Sequence, residues 1–147
     1  MRNTILIALV SLIIFGCKKD TFSTTPSLKY KSVNTKILYP GQVIKFNLSF
    51  TDAEGDLDSI YIQKIATNCA KSGTIERLQF SSDIVKLNSK SDNLLISYGY
   101  RVDSYVKIGE PQCQKSDTCY FRFALMDKAK HKSDTVNSET VIIYYVK

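Results

Sequence analysis

Four carboxylates, Asp52, Glu54, Asp56 and Asp58, fall within seven residues, with Gly55 among them. Like charges this close repel unless a cation, nearby lysines or turn hydrogen bonds compensate. Ca2+ is a chemically suitable cation, because it takes about six to eight oxygens from Asp, Glu, backbone carbonyls and water. The spacing matches a D-x-D-x-D-G loop only in outline, with Glu in third position and no distal bidentate Glu. The other reading is a tight turn in which Asp52 and Asp56 bond their own backbone while Gly55 supplies the special dihedral. The turn is the preferred reading and calcium the second.

The remaining chemistry-bearing residues are four cysteines, Cys17, Cys69, Cys113 and Cys119, and one histidine, His131. No C-x-x-C pair suggests redox work, and no second cysteine or histidine stands at tetrahedral zinc spacing. His131 sits among Lys128, Lys130 and Lys132, with nothing in the sequence to orient it as a general base, so it is expected to be exposed and incidental. No G-x-S-x-G elbow or phosphate-binding glycine loop occurs. The clustered acids do not suggest two carboxylates flanking a cleft, as glycoside hydrolysis needs. The expectation is therefore a protein that is not an enzyme and requires no cofactor.

Cys17 is set apart by what precedes it. Residues 1–17 read MRNTILIALVSLIIFGC: one positive charge at Arg2, an apolar run from Ile5 to Phe15, then Gly16. This is the layout of a secretory signal, and the run is too short for the roughly 20 residues of a bilayer span. An ordinary signal peptidase wants small residues first and third before its cut, whereas the third here is Ile14. Ile14-Phe15-Gly16-Cys17 resembles the lipobox of bacterial lipoproteins. The resemblance implies thioether attachment of diacylglycerol to Cys17, cleavage before it and acylation, palmitate included, of the new amino terminus. Each buried methylene contributes about 0.8 kcal/mol, so two or three chains anchor stably where one would be reversible. Residues 1–16 are thus expected to be a cleaved signal peptide. Residues 17–27 are expected to be a lipidated cysteine and flexible linker, since Asp20–Ser27 is polar and hydroxyl-rich. Lys18 and Lys19 would lie at the headgroups. The expected address is the cell envelope, at the outer membrane, with membrane lipid as a partner through Cys17.

The rest of the chain, residues 28–147, must supply one folded domain. The positive charges of the chain, whose full sequence has a net charge of +6, are interleaved with acids and hydroxyls rather than clustered, which argues against nucleic acid as a partner. From Val43 to Thr51, Ile44, Phe46, Leu48 and Phe50 alternate with Lys45, Asn47, Ser49 and Thr51, the period of a half-buried strand. The same alternation runs through Leu94, Ile96, Tyr98, Tyr100 and Val102, and through Cys119, Phe121, Phe123 and Leu125. Further β-rich runs lie at Leu28–Val33, Ser59–Ala66, Ile75–Phe80 and Thr140–Val146. These predict an all-β, antiparallel β-sandwich of about seven strands.

Two segments add a family likeness. Phe50-Thr-Asp52-Ala-Glu-Gly55-Asp56-Leu57 resembles the F-x-D-x-x-G-D-L segment after the second strand of many bacterial immunoglobulin-like domains. Asp117 to Ala129, with Ser133-Asp134-Thr-Val136, resembles their penultimate strand and its D-x-A-G-N-x-S-D loop. Lys130 and His131 stand here in place of Gly and Asn, residues that supply positive φ cheaply. The resemblance implies an immunoglobulin-like sandwich over about residues 28–146, and fold alone does not fix function.

In such a sandwich the connection holding Asp52 to Asp58 and the loop after Asp127 share one end. Asp127 therefore joins Asp52, Glu54, Asp56 and Asp58 as a candidate calcium ligand. At the opposite end Cys69 and Cys113 come together as the preferred disulfide in an oxidising compartment, with Cys113–Cys119 the runner-up. Cys119 shares the inward phase of Phe121 and is read as a small buried hydrophobe. Tyr98 and Tyr100 are read as core, while an outward subset of Tyr105, Tyr144 and Tyr145 could meet a protein or glycan partner.

The expected function is a non-catalytic, membrane-anchored binding or assembly module of the envelope. A small periplasmic enzyme or enzyme-associated subunit and a calcium-stabilised spacer are the alternatives. Cys17→Ser should leave an uncleaved, unacylated precursor, checked by mass and by membrane fractionation; equal processing and retention of the variant would refute the anchor.

Overall fold

The computed structural model describes residues 23–69, 73, 75–80 and 90–147. Cys17 and the expected signal segment lie outside the described residues. Nine strands and no helix occur among those described: Ser27–Val33 (β1), Ile37–Leu38 (β2), Val43–Thr51 (β3), Leu57–Ala66 (β4), Ile75–Gln79 (β5), Ser91–Gly99 (β6), Asp117–Asp127 (β7), Val136–Asn137 (β8) and Val141–Ile143 (β9). The seven expected strands are all present, and β2 and β8 are additional two-residue pieces. One sheet has the order β1-β3-β6 and the other β2-β9-β7-β4-β5, with β8 paired to β7. Pairing is antiparallel except for β2 with β9. The chain crosses between the two facing sheets at each step from β1 to β4 and again from β5 to β6 and β6 to β7, while β4–β5 and β7–β8–β9 stay within one sheet, an immunoglobulin-like arrangement of a β-sandwich.

The core lies between the sheets because alternation aims every second side chain there. Ile44, Phe46, Leu48 and Phe50 of β3 are buried, as are Ile60 and Ile62 of β4 and Phe121, Phe123 and Leu125 of β7. The Phe46 ring bridges the sheets, with its centroid 4.7 Å from Phe121 and 5.4 Å from Phe123. Tyr98 and Tyr100 belong to this core. The Tyr98 hydroxyl donates to Glu76 Oε2 at 3.0 Å and that of Tyr100 to the Tyr144 carbonyl at 3.0 Å. Burial, followed by the Glu76 charge, pushes the Tyr98 phenol well above its ordinary value.

The strand expected to continue to Val102 stops at Gly99. Arg101 adopts φ +55°, and the chain folds back so that Gly99 N–H donates to the Val106 carbonyl and Ile108 N–H to the Gly99 carbonyl. At the same pole Cys69 and Cys113, 44 residues apart, form a disulfide with a Cα–Cα distance of 5.5 Å. Cys119 remains a buried free thiol. Nearby, Lys64 Nζ donates to Asp117 Oδ2 at 2.7 Å and to the Gly109 carbonyl at 3.2 Å, tying this loop to β4 and β7.

A Cβ on Gly99 would stand 2.9 Å from both Cβ and the carbonyl oxygen of Val102 and 3.0 Å from Tyr105 Cβ. Gly99→Ala should therefore cost about 1–3 kcal/mol in urea unfolding, as overpacking does. An unchanged midpoint would show that the loop can move aside freely.

Candidate functional site

Two strand ends and two turns build the pole opposite the disulfide. β3 ends at Thr51 and β4 begins at Leu57, and Asp52 spans the gap: its Oδ2 accepts from Asp56 N–H at 2.9 Å. Gly55 takes φ +69° to close the turn. On the other side β7 ends at Asp127. Lys130 N–H donates to the Asp127 carbonyl and Asp127 N–H to the His131 carbonyl, while Lys130 takes φ +72°. This is a type I turn followed by a left-handed residue, a common three-residue hairpin form. Lys128 N–H donates to the Asp56 carbonyl at 3.0 Å, which locks the two turns together as the sequence expectation required.

The acidic segment takes the preferred form, a tight turn through Asp52, Gly55 and Asp56, and the five carboxylates of the second, calcium reading are not drawn to one point. Among the described residues no three His, Cys, Asp or Glu side chains are placed to hold a metal ion. The physical reason is that most of them are turned to other partners. Asp52 and Asp127 are buried; Asp52 serves the turn and Asp127 serves His131. Glu54 is exposed. Asp58 lies at a bulge of β4, because Leu57 faces Asp127 and Ser59 faces Met126, leaving one residue unopposed. The bulge aims its carboxylate at the protein's own cations: Oδ2 accepts from Arg77 Nη2 at 2.6 Å and lies 3.6 Å from Lys130 Nζ. The Arg77 hydrogen bond outweighs desolvation and holds the Asp58 carboxyl below its usual range. Asp52 Oδ1 and Asp56 Oδ1 are buried with no hydrogen-bond partner among the described residues.

His131 is exposed as expected, but it does not lack an orienting group. Its backbone N–H donates to Asp127 Oδ1 at 2.8 Å, and its Nδ1 lies 2.9 Å from Asp127 Oδ2. An ionised carboxylate only accepts, so the proton sits on Nδ1 and Nε2 is the ring nitrogen left over. Nearby Ser133 is no ready nucleophile: its buried hydroxyl accepts from Leu125 N–H and donates to the Asp134 carbonyl. The Asp127–His131 pair holds the turn.

Running down from this turn, the outer face of β4, β5 and β7 carries a feature that sequence reasoning did not single out. Tyr61 faces Ala124 on β7 and Arg77 on β5, and Gln63 faces Arg122 and Ile75. Tyr61, Gln63, Ile75, Arg122, Ala124 and Lys132 line a shallow, open hollow of about 260 Å3. Ala124 makes the hollow, since its methyl leaves room between longer neighbours. Lys132 Nζ lies 5.1 Å and Arg77 Cζ 5.9 Å from the Tyr61 ring centroid, within cation–π range. The signal was present in the strand phase: Tyr61 and Gln63 alternate with buried Ile60 and Ile62, and Arg122 with Phe121 and Phe123.

No protein-family model and no curated protein sequence matches this chain. Among solved structures it is similar to Spo0M, a sporulation control protein from Bacillus subtilis, at 6% identity and TM-score 0.45 over 83% of this chain and 50% of that one. It is similar to a beta-glucosidase from Listeria innocua, at 12% identity and TM-score 0.38, over 83% of this chain and 16% of the glucosidase. It is also similar to a PapD-like domain of human CEP192, at 8% identity and TM-score 0.38, over 92% and 96% of the two chains. The chain thus spans half of the Spo0M chain and about a sixth of the glucosidase. No function of this chain follows from these likenesses.

Lys130 bears a left-handed backbone that costs a non-glycine residue about 1–2 kcal/mol. Lys130→Gly should therefore raise stability by up to about 1 kcal/mol after the added chain entropy, and Lys130→Val should lower it. A urea series measures both, and a less stable glycine variant would show that the Lys130–Asp58 contact outweighs the backbone strain.

Proposed function

We propose that this chain is a non-catalytic envelope module, anchored through lipid on Cys17, that binds a partner through the outer face of β4, β5 and β7. The observation that carries the reading is the open form of that face. A binding module presents a broad, shallow surface, whereas an enzyme of this size would concentrate converging polar groups in a deep cleft. Placement supports it further. Ser27, the first residue of β1, pairs with Thr51 beside the acidic turn, so the tether joins the domain at the pole of the turns. A partner is then met more readily at the side of the sandwich than at the turns. The small-enzyme alternative draws on the Asp127–His131 pair, whose Nε2 could take a proton.

A photoreactive amino acid in place of Gln63 in the full-length chain, irradiated in native membranes, should yield a discrete crosslinked species. The same residue in place of Leu95, exposed on the other sheet, should not. Adducts of equal yield from both positions, or none from Gln63, would overturn the use of this face.

A further inference from the structure

The cations on this face are not balanced by acids. Among the described residues Arg122 and Lys132 have no carboxylate partner, whereas Arg77 is paired with Asp58, and no acid lines the hollow. The cation–π contact positions the Lys132 ammonium over Tyr61 without neutralising it. Beside these two cations lie the apolar floor at Ala124 and, across Gln63, the flank at Ile75, whose surface is 62% exposed. Positive charge beside uncovered apolar surface on a flat, ridged sheet fits a ligand that offers carboxylates and hydrocarbon in alternation.

We propose that the outer face of β4, β5 and β7 docks an extended acidic segment of a partner protein, with its carboxylates on Arg122 and Lys132 and an apolar side chain in the recess above Ala124. The inference rests on the reading of this face as the binding surface and adds the chemistry of what it binds. An acidic polysaccharide fits less well. Sugars pack against bare aromatic faces, and the Tyr61 ring already has Arg77 and Lys132 over it. An extended peptide places side chains on one side every second residue, about 6.6–6.8 Å apart. That is also the spacing along β7 between Arg122 and Ala124, so a carboxylate and an apolar group two residues apart match a cation and a recess two residues apart.

The test is selection of a randomised decapeptide library on the full-length chain in detergent, with polygalacturonate as the competing probe. The expected result is enrichment of peptides in which Asp or Glu alternates with apolar residues, bound more weakly as ionic strength rises. Their affinity should fall about ten-fold or more for Arg122→Glu with Lys132→Glu, and to a smaller extent for Arg122→Gln. The melting curve of each variant checks that it is folded, and the salt titration of the native chain stands if the double variant is not. Absence of acidic enrichment, equal affinity for folded variants, or binding of polygalacturonate without binding of selected peptides would each overturn the proposal. If Gln63 crosslinks a partner while the library yields no acidic peptides, the binding face survives and the acidic ligand does not.

Discussion

The alternation of β7 between two environments is the constraint on which the domain depends. From Cys119 to Leu125 every second residue enters the core and each one between faces outward, and a slip of one position would exchange the two sets. The register with β4 holds this phase over nine residue pairs, from Leu57↔Asp127 to Ala66↔Cys119. Phe121 and Phe123 can therefore meet Phe46 across the interior while Arg122 and Ala124 shape the outer surface. Core and candidate site are two sides of one strand, so neither can be altered in register without the other.

The two poles of the sandwich are stabilised by different chemistry. One is held by carboxylates that accept from backbone and imidazole N–H groups, with glycine or lysine in left-handed conformations at the tight points. The other is held by a covalent bridge and by the Lys64–Asp117 pair. A buried ion pair of this kind contributes little unless its remaining atoms are satisfied, and Lys64 meets that condition better than Asp117: its ammonium also donates to the Gly109 carbonyl, while Asp117 Oδ1 has no partner among the described residues. The pair contributes mainly by fixing where the loop before β7 lies.

Much of the sandwich was legible in the sequence because period two is a direct imprint of a half-buried sheet. The β3 alternation gave Val43–Thr51 with the boundaries that the strand has. The Cys69–Cys113 pairing was legible once β4 and β7 were neighbours, since only their shared pole brings those residues together. Three things were not legible. The end of β6 depends on Gly99 letting a distant loop close over it, and nothing in the local pattern of Tyr98, Tyr100 and Val102 reports that. The turn of Asp52, Gly55 and Asp56 was legible, but the place of Asp58 turned on a bulge and on Arg77, 19 residues away, and such tertiary pairing leaves no periodic trace. The orienting of His131 by Asp127 required a turn that lysine rather than glycine supports, so the charge of its neighbours was a poor guide to its surroundings.

A free thiol in the same domain as a disulfide invites exchange, in which its thiolate attacks the existing bridge and the pairing scrambles. Cys119 is fully enclosed by the core, and burial, followed by the charge of Asp117, pushes its thiol up to about 12. Near neutral pH the attacking form is then populated only about once in 10⁵ molecules, and the sulfur has no open path to the bridge or to a second molecule. Cys119 can therefore persist unpaired beside the Cys69–Cys113 cystine, and shuffling would have to wait for the sandwich itself to open.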